Sequence, residues 1–153
     1  MAGRTLDFKS LTENDAMMAA GWFLNDAEGQ AEFGGFYGSH PKWWRLVRDH
    51  RNRSGWTVWR NGEPIGFADL ELCDDGSADL SVYVVPAHRG QGLATAMMRA
   101  LGPIAGPLGV RRLRGAIRPD NAVSLRAATA SGGVLIGKDE HGYQVVVGPP
   151  LHR

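Results

Sequence analysis

The stretch VPAHRGQGLATAMMRAL, residues 85–101, joins an apolar run to a helix through Arg-Gly-Gln-Gly. Each glycine weakens a helix by about 1 kcal/mol relative to alanine, so two glycines at a helix entry indicate that something approaches the backbone there. The first turn of a helix offers unpaired N–H groups and a partial positive charge, which suit phosphate oxygens. Arg89 adds a further positive charge. This stretch therefore resembles a phosphate-binding turn, although it matches neither a P-loop nor a full Rossmann fingerprint, and a purely structural glycine-rich turn between strand and helix is the alternative.

The sequence around this turn predicts one mixed α/β domain over residues 1–153. Strands are indicated by alternating or apolar runs, and Asn61-Gly62 is a strong hairpin signal. The predicted strands are residues 4–9, 56–59, 65–72, 78–85 and 111–117, followed by a hairpin at 134–147. The predicted helices are residues 10–24 and 40–50, one that follows the quoted turn and ends near Gly102, and residues 119–133. Residues 28–39 are predicted to form a glycine-rich loop.

The composition argues against several classes of protein. The chain has 153 residues and a net charge of +1, so we expect neither a nucleic-acid partner nor a membrane partner. Cys73 is its one cysteine, so no disulfide or multi-cysteine metal site is expected. There is no signal-peptide core and no run of 18 apolar residues, which predicts a cytoplasmic location. RNA binding by RRLRGAIR, residues 111–118, is weakly indicated because no aromatic stacking platform accompanies the arginines.

Charge is distributed unevenly along the chain. Residues 1–80 hold 13 Asp and Glu against 8 Lys and Arg, whereas residues 81–153 hold 3 against 9. One interpretation is an ordinary solvated surface. The other is that the first half receives a cationic ligand and the second half an anionic one.

Two segments carry a recognisable pattern. In VYVVPAHRGQGLATAMM an apolar strand leads into a glycine-rich helix entry, with Val84, Pro86, Arg89, Gly90 and Gly92 at the matching positions. Further on, Asn121-x-x-Ser124-x-Arg126 opens a helix that ends in Gly132. Together these segments resemble the GNAT superfamily of acetyl-CoA-dependent N-acetyltransferases. The resemblance implies a single domain with a mixed, mostly antiparallel sheet of about seven strands, flanked by about four helices, whose central strands splay apart.

The same resemblance implies where acetyl-CoA, the co-substrate, is held. Its pantetheine arm would pair with the backbone of Val84 and Val85, with the Val84 N–H facing the thioester carbonyl. Asn121 and Ser124 would lie along the pantetheine and near the sulfur. The pyrophosphate would be held by the loop residues Arg89, Gly90, Gln91, Gly92, Leu93 and Ala94. No metal is expected, and the acetyl group would move directly to a primary amine within a ternary complex.

One position departs from the family pattern. Many members carry a tyrosine seven residues after the asparagine, where it protonates the departing thiolate, but this chain has Ala128 there. The candidates for the general acid are Ser124 or water first, and then Tyr83 or Tyr143. The departure also leaves open a second function, that of a non-catalytic acyl-CoA-binding or sensor domain.

A neutral amine is needed to attack a thioester, so the site requires a group that takes up the amine proton. The candidate carboxylates are Asp69 and Glu71 on one strand and Asp79 on the next. Asp79 also matches the strand position at which several members of the resembling family carry a catalytic glutamate. We expect Asp79 or Glu71 to be the base, acting directly or through a water molecule.

The acceptor is expected to be a small-molecule amine or a peptide N-terminus. The acidic first half favours a cationic acceptor, since carboxylates attract ammonium groups. The residues expected to contact it are Glu28, Glu32, Trp44, Asp69 and Tyr83. The sequence is compatible with a monomer or a homodimer.

Overall fold

The computed structural model describes residues 5–34 and 36–151, without the side chains of Glu32 and His40. It contains a seven-stranded mixed sheet in the order β1-β2-β3-β4-β5-β7-β6, as the sequence predicts. The strands are β1 Asp7–Ser10, β2 Arg53–Arg60, β3 Glu63–Leu72, β4 Ser77–Val84, β5 Arg112–Ile117, β6 Val134–Lys138 and β7 Gln144–Val147. The first predicted strand begins later than expected, and its predicted start at Arg4 lies outside the described residues.

In the described part of the chain five α-helices flank the sheet, in keeping with the expectation of about four. They are α1 Glu13–Trp22, α2 Ala27–Gly29, α3 His40–Asp49, α4 Leu93–Ala105 and α5 Ala122–Ala130. Thr12 begins α1 with a capping box, because its side chain accepts the Asp15 N–H while the Asp15 carboxylate accepts the Thr12 N–H. None of the helices in the described part of the chain is long and apolar enough to cross a membrane.

Several predicted bounds differ from those in the structure, and two of these differences have a clear physical reason. The predicted loop at 28–39 is partly helical: α2 is followed by a π-helix at Gln30–Gly34, and Phe33 packs edge-on against Tyr37, Phe67 and Tyr83. These ring contacts supply packing that the glycine content does not indicate. Helix α4 also continues through Pro103 to Ala105, because Leu101 and Ala105 are fully buried and anchor its last turn.

Contacts between Cα atoms divide the chain into two compact units. Unit 1 comprises residues up to 69 together with 83–89, and unit 2 comprises residues 70–82 and those from 90 onward. Unit 1 has an aromatic core, which we define as Phe23, Tyr37, Trp43, Phe67 and Tyr83. In unit 2, helix α4 buries its apolar side, and a small cluster forms around Ile117, Ala128 and Val146. The single-domain boundaries 1–153 stay a prediction.

The register of β3 against β4 places the candidate bases. In unit 1 the Val85 N–H donates to the Ile65 carbonyl at 2.9 Å, and in unit 2 the Cys73 N–H donates to the Ser77 carbonyl at 2.8 Å. Both pairs belong to the same antiparallel register, in which Glu71 lies opposite Asp79.

On the other side of β4 the pairing with β5 is parallel and short. It runs from Ser77 opposite Arg112 to Asp79 opposite Arg114 and ends there. Strand β4 nevertheless continues to Val84. This early end of the pairing is the splay that the sequence analysis expects.

Candidate active site

The entry of α4 has the backbone geometry that the two glycines predict. Gly90 has a φ of 77° and Gly92 a φ of 74°, both in the left-handed region that side chains other than glycine rarely adopt. Gly92 is the N-cap of α4, and among the described residues no side chain caps this end. The buried Leu93 anchors the first turn from the opposite side. The first N–H groups of α4 are therefore available to an anion.

Strand β4 leads into this turn through Val84 and Val85, which are both buried. Because the Val85 N–H is directed to the Ile65 carbonyl on β3, the N–H of its neighbour Val84 points away from β3. The Val84 carbonyl accepts a hydrogen bond from Arg89 Nε at 2.9 Å. The Val84 N–H is therefore not used in the pairing of β4 with β3, and its expected contact with the thioester carbonyl stays a prediction.

The Arg89 guanidinium is directed to a partner that the sequence analysis missed. Its Nη2 lies 2.6 Å from Asp26 Oδ2, and its Nη1 lies 3.3 Å from Asp26 Oδ1. The Arg89 N–H donates to the Pro86 carbonyl at 3.2 Å. The side chain therefore holds its own segment against Asp26 within unit 1, and its expected contact with the pyrophosphate stays a prediction.

Asp26 is buried and accepts two further hydrogen bonds, from the Tyr83 hydroxyl at 2.7 Å and from the Gly29 N–H at 3.1 Å. Burial alone would raise the pKa of Asp26, but the hydrogen bonds from Arg89, Tyr83 and Gly29 together hold it below its usual value. Asp26 lies 63 positions before Arg89. The one available sequence signal was its suitability as a helix N-cap, which does not identify a distant partner.

Helix α5 begins at the predicted asparagine. Asn121 is its N-cap and accepts the Ser124 N–H at 3.1 Å, so these two residues are brought together. Ser124 is half-buried. Ala128, at the position of the family's tyrosine, is buried against Ile117 and Val146.

Glu71, Asp79 and Arg114 form a row across three neighbouring strands of unit 2. Arg114 Nε donates to Asp79 Oδ1 at 2.8 Å, and this ion pair raises the pKa of Arg114. Glu71, opposite Asp79 on β3, is exposed. The Cys73 thiol lies 3.8 Å from both Asp79 Oδ2 and Arg114 Nη2. The structure therefore brings the two candidate bases together, with an arginine beside one of them.

The Asp69 side chain is buried and holds neighbouring side chains together within unit 1. It is 2% exposed, and its oxygens accept hydrogen bonds from the Tyr37 hydroxyl at 3.1 Å and Trp43 Nε1 at 3.0 Å. Arg53 Nη2 forms an ion pair with it at 2.8 Å. The Asp69 carboxylate is thus fully used within unit 1, which the alternating pattern of β3 does not predict.

The other residues expected to contact the acceptor differ in their surroundings. Tyr83 is buried, and burial followed by its hydrogen bond to Asp26 raises its pKa far above the usual value, which makes it a poor proton donor. Trp44 is partly buried against the aromatic core, and Glu28 is exposed. The side chain of Glu32 lies outside the described residues. Tyr143 is 40% exposed on the turn between β6 and β7.

Metal ligands do not gather in the described residues, where no three His, Cys, Asp or Glu side chains come together as a possible site. Two ion pairs of unit 1, Asp49 with Arg48 and Asp69 with Arg53, lie within residues 1–80 and leave the acidic surplus of the first half unchanged. Asp26 pairs with Arg89 from the second half, so this pair offsets one charge of that surplus.

A family profile described as the Acetyltransferase (GNAT) family matches residues 20–132, which is more than half of the chain. No curated protein matches the chain significantly.

Solved structures share the fold at low sequence identity. The aminoglycoside acetyltransferase AAC(6')-Ib, in complex with paromomycin and acetyl-CoA, is 21% identical, with a TM-score of 0.80 over 94% of this chain and 92% of that chain. An acetyltransferase from Thermus thermophilus is 22% identical, with a TM-score of 0.75 over 99% and 100% of the two chains. A spermidine N-acetyltransferase chimera from Vibrio cholerae and hSSAT is 21% identical, with a TM-score of 0.69 over 93% and 91%.

Proposed function

The chain belongs to the Acetyltransferase (GNAT) family and is an acetyl-CoA-dependent N-acetyltransferase, and on that premise we propose that it transfers the acetyl group directly to a primary amine of a small molecule or a peptide N-terminus. In direct transfer both substrates are bound together and no covalent acyl-enzyme forms. The observation that carries the proposal is the uncapped N-terminus of α4, which follows two glycines with left-handed φ. The structures bound to aminoglycosides and the spermidine N-acetyltransferase support an amine as the acceptor.

The residues at this helix entry fit the pyrophosphate of acetyl-CoA. Gly90, Gly92, Leu93 and Ala94 would offer backbone N–H groups, with Gln91 between them, and a Cβ at Gly90 would meet only open space. Arg89 would act as a positioning residue, because its guanidinium is held by Asp26 and by the Val84 carbonyl. The backbone of Val84 and Val85 would pair with the pantetheine. The Val84 N–H would then stabilise the oxyanion that develops on the thioester carbonyl.

The acceptor amine must lose its proton before or during the attack. We assign this step to Glu71 or Asp79, which lie opposite each other on β3 and β4. Asp79 is five positions before Val84 on β4, about 17 Å at 3.3 Å per residue, so water molecules would carry the proton from the amine to the carboxylate. Arg114 Nε donates to one oxygen of Asp79, and Glu71 is exposed.

The departing thiolate needs a proton. Ser124 or a water molecule is proposed to supply it, because Ala128 has no hydroxyl and the Tyr83 hydroxyl is engaged by Asp26. Ser124 lies in the first turn of α5, beside the capping Asn121. The competing function, a non-catalytic acyl-CoA sensor, would require none of these groups to transfer a proton.

The decisive experiment compares two glycine variants. Gly92→Trp places a large side chain at the entry of α4, and Gly62→Trp is the matched control, since Gly62 also has a positive φ of 77° but lies in the hairpin between β2 and β3. We expect a folded Gly92→Trp protein to lose CoA binding by calorimetry while Gly62→Trp keeps it. Equal CoA affinity in both variants would refute the assignment of this turn.

Acetyl transfer is then measured with the parent protein and a panel of primary amines, by release of free CoA thiol and by mass spectrometry of the product. Acetylation of one or more amines is expected. Tight CoA binding without acetylation of any amine would favour the sensor function.

A further inference from the structure

Two glycines of unit 1 leave no room for a side chain beside Tyr83. A Cβ at Gly66, on β3, would overlap the Tyr83 carbonyl oxygen and lie 3.0 Å from the Tyr83 carbonyl carbon and 3.2 Å from Val84 Cα. A Cβ at Gly29, the last residue of α2, would overlap the Asp26 carboxylate and lie 2.9 Å from Tyr83 Cε1. Both glycines therefore allow an approach to Tyr83 that any other residue would block.

The peptide group between Tyr83 and Val84 has a defined direction. The Val84 N–H points away from β3, because the next N–H along the strand, that of Val85, donates to the Ile65 carbonyl on β3. In a planar trans peptide the carbonyl points opposite to the N–H, so the Tyr83 carbonyl points toward β3, where Gly66 lies. A group that pushed on this carbonyl would also turn the Val84 N–H, because both belong to one rigid plane.

The Tyr83 side chain is fixed and cannot yield to such a push. It is 2% exposed, and its hydroxyl donates to Asp26 at 2.7 Å. Its ring stacks with those of Phe67 and Trp22, at centroid distances of 5.3 and 6.0 Å. Protein interiors are close-packed and have no spare volume for an added methyl group. A side chain in place of Gly66 could therefore be accommodated only by a shift of the backbone of β4.

We propose that Gly66 and Gly29 are positioning residues for acetyl transfer. By leaving room for Tyr83, they hold its peptide group so that the Val84 N–H is directed to the thioester carbonyl. Such a donor stabilises an oxyanion only from the correct position, and a misplacement of about 1 Å can cost about 100-fold in rate. This inference rests on the proposed function and adds the residues that orient its oxyanion donor.

The first test compares Gly66→Ala with Gly55→Ala. Gly55 lies on the neighbouring strand β2, and the nearest atoms that a Cβ there would meet are side-chain atoms of Val47, Trp43 and Leu11, at 3.2, 3.3 and 3.4 Å. Both variants are expected to lose stability. Only Gly66→Ala should lower kcat, by about 10- to 100-fold, while its CoA affinity changes less than about threefold.

The rates are measured under single-turnover conditions with saturating acetyl-CoA, at a temperature at which both variants are folded. Equal rates for the parent and Gly66→Ala would overturn the proposal. Equal losses in Gly66→Ala and Gly55→Ala would also overturn it, because they would mean a general effect of crowding in the sheet.

A spectroscopic test needs no acceptor. Acetyl-CoA with an isotopic label on its thioester carbonyl carbon is bound to each protein, and the carbonyl stretching band is recorded by difference infrared spectroscopy. A hydrogen bond from the Val84 N–H lowers the frequency of this band. The band should therefore lie at higher frequency in Gly66→Ala than in the parent and be unchanged in Gly55→Ala, whereas a purely structural role of Gly66 would leave it in place.

Replacement of Val84 by the corresponding α-hydroxy acid turns its N–H into an ester oxygen and separates this inference from the proposed function. A band that moves in the ester protein but not in Gly66→Ala would overturn the role of Gly66 alone. A band that moves in neither would overturn the assignment of the Val84 N–H as well. The result is independent of whether any amine is acetylated.

The variant Gly29→Ala decides the question if Gly66→Ala does not fold. A Cβ at Gly29 meets Tyr83 from its side-chain end, so this variant should also raise the frequency of the carbonyl band and lower kcat at saturating acetyl-CoA. An unchanged band and an unchanged kcat in Gly29→Ala would overturn the proposal that the two glycines hold Tyr83 in place.

Discussion

The Arg89 guanidinium lies 2.6 Å from the buried Asp26 carboxylate, and the same arginine holds the Val84 carbonyl at 2.9 Å. This relationship joins the segment between α1 and α3 to the turn that precedes α4, entirely within unit 1. A bond to the carbonyl of the last β4 residue fixes the direction in which the chain leaves the strand. We therefore propose that Asp26 supports the CoA site through Arg89.

Asp26→Asn is expected to weaken both folding and CoA binding. The variant removes the charge partner of Arg89, and charge-assisted hydrogen bonds contribute about 1.5–3 kcal/mol each, less where solvent screens a partly exposed arginine. Urea unfolding should show a loss of about 1–2 kcal/mol in the free energy of unfolding. Calorimetry should show CoA affinity reduced several-fold.

Asp49→Asn is the matched control, because Asp49 pairs with Arg48 on the exposed surface of α3. It should leave the unfolding midpoint and CoA affinity unchanged. If Asp26→Asn behaved like this control, Asp26 would not support the turn.

The pH dependence of stability should reflect the same carboxylate. The folded state holds the pKa of Asp26 below its ordinary value of 3.8, so the stabilisation is present above that value and is lost as pH falls through the folded pKa. The difference in free energy of unfolding between the parent and Asp26→Asn should therefore be constant between about pH 5 and 7 and shrink below about pH 4. Urea titrations at several pH values measure it, and a difference that grew toward acid pH would contradict the assignment.

Asp69 is expected to matter for folding instead of acceptor binding. Removing one partner of a buried ion pair costs about 3–5 kcal/mol, so Asp69→Ala should be strongly destabilised, and Asp69→Asn less so because it keeps an acceptor for Tyr37 or Trp43. The KM for the acceptor should be unchanged in Asp69→Asn at a temperature at which it is folded. A large rise in KM without loss of stability would restore Asp69 to the acceptor site.

Local features of the fold could be predicted from the sequence, and distant side-chain pairs could not. The Asn61-Gly62 hairpin and the glycines at α4 each need a left-handed φ, which the residue types reveal directly. The helical period likewise places Trp43 in the core.

The pairing of Asp69 with Trp43, Tyr37 and Arg53 depends on elements that meet only in the folded chain, so the alternating pattern assigns this acidic residue to the surface. The role of Asp26 could not be predicted from the sequence for the same reason, because its partner Arg89 lies 63 positions further along the chain. For both residues, burial and hydrogen-bond partners decide the role, and neither can be obtained from spacing.

The candidate bases can be separated by two isosteric variants. A general base contributes about 100- to 10,000-fold in rate, so Glu71→Gln or Asp79→Asn should lower kcat by at least about tenfold without changing CoA affinity. Asp74→Asn, in the exposed turn between β3 and β4, is the control and should keep full activity. The rates are measured across pH. A general base acts only when it is deprotonated, so its loss should also remove the rise of kcat with pH that it causes on the acid side of the profile. Full activity in both Glu71→Gln and Asp79→Asn would place the base elsewhere or mean that the amine binds already neutral.

The final prediction concerns the proton for the departing thiolate. If the Ser124 hydroxyl supplies it, Ser124→Ala should lower kcat about 10- to 100-fold, toward the lower end of what a general acid contributes, because water can partly replace the hydroxyl. Ser124→Thr keeps a hydroxyl at the same position and should retain most of the activity. CoA affinity should be unchanged in both variants, because the Asn121 cap accepts the backbone N–H of residue 124 whatever its side chain. Release of free thiol is followed under single-turnover conditions, which exclude slow product release. Equal rates for the parent and Ser124→Ala would assign the proton to water, whereas a loss of CoA affinity matching the loss of rate would make Ser124 a binding residue.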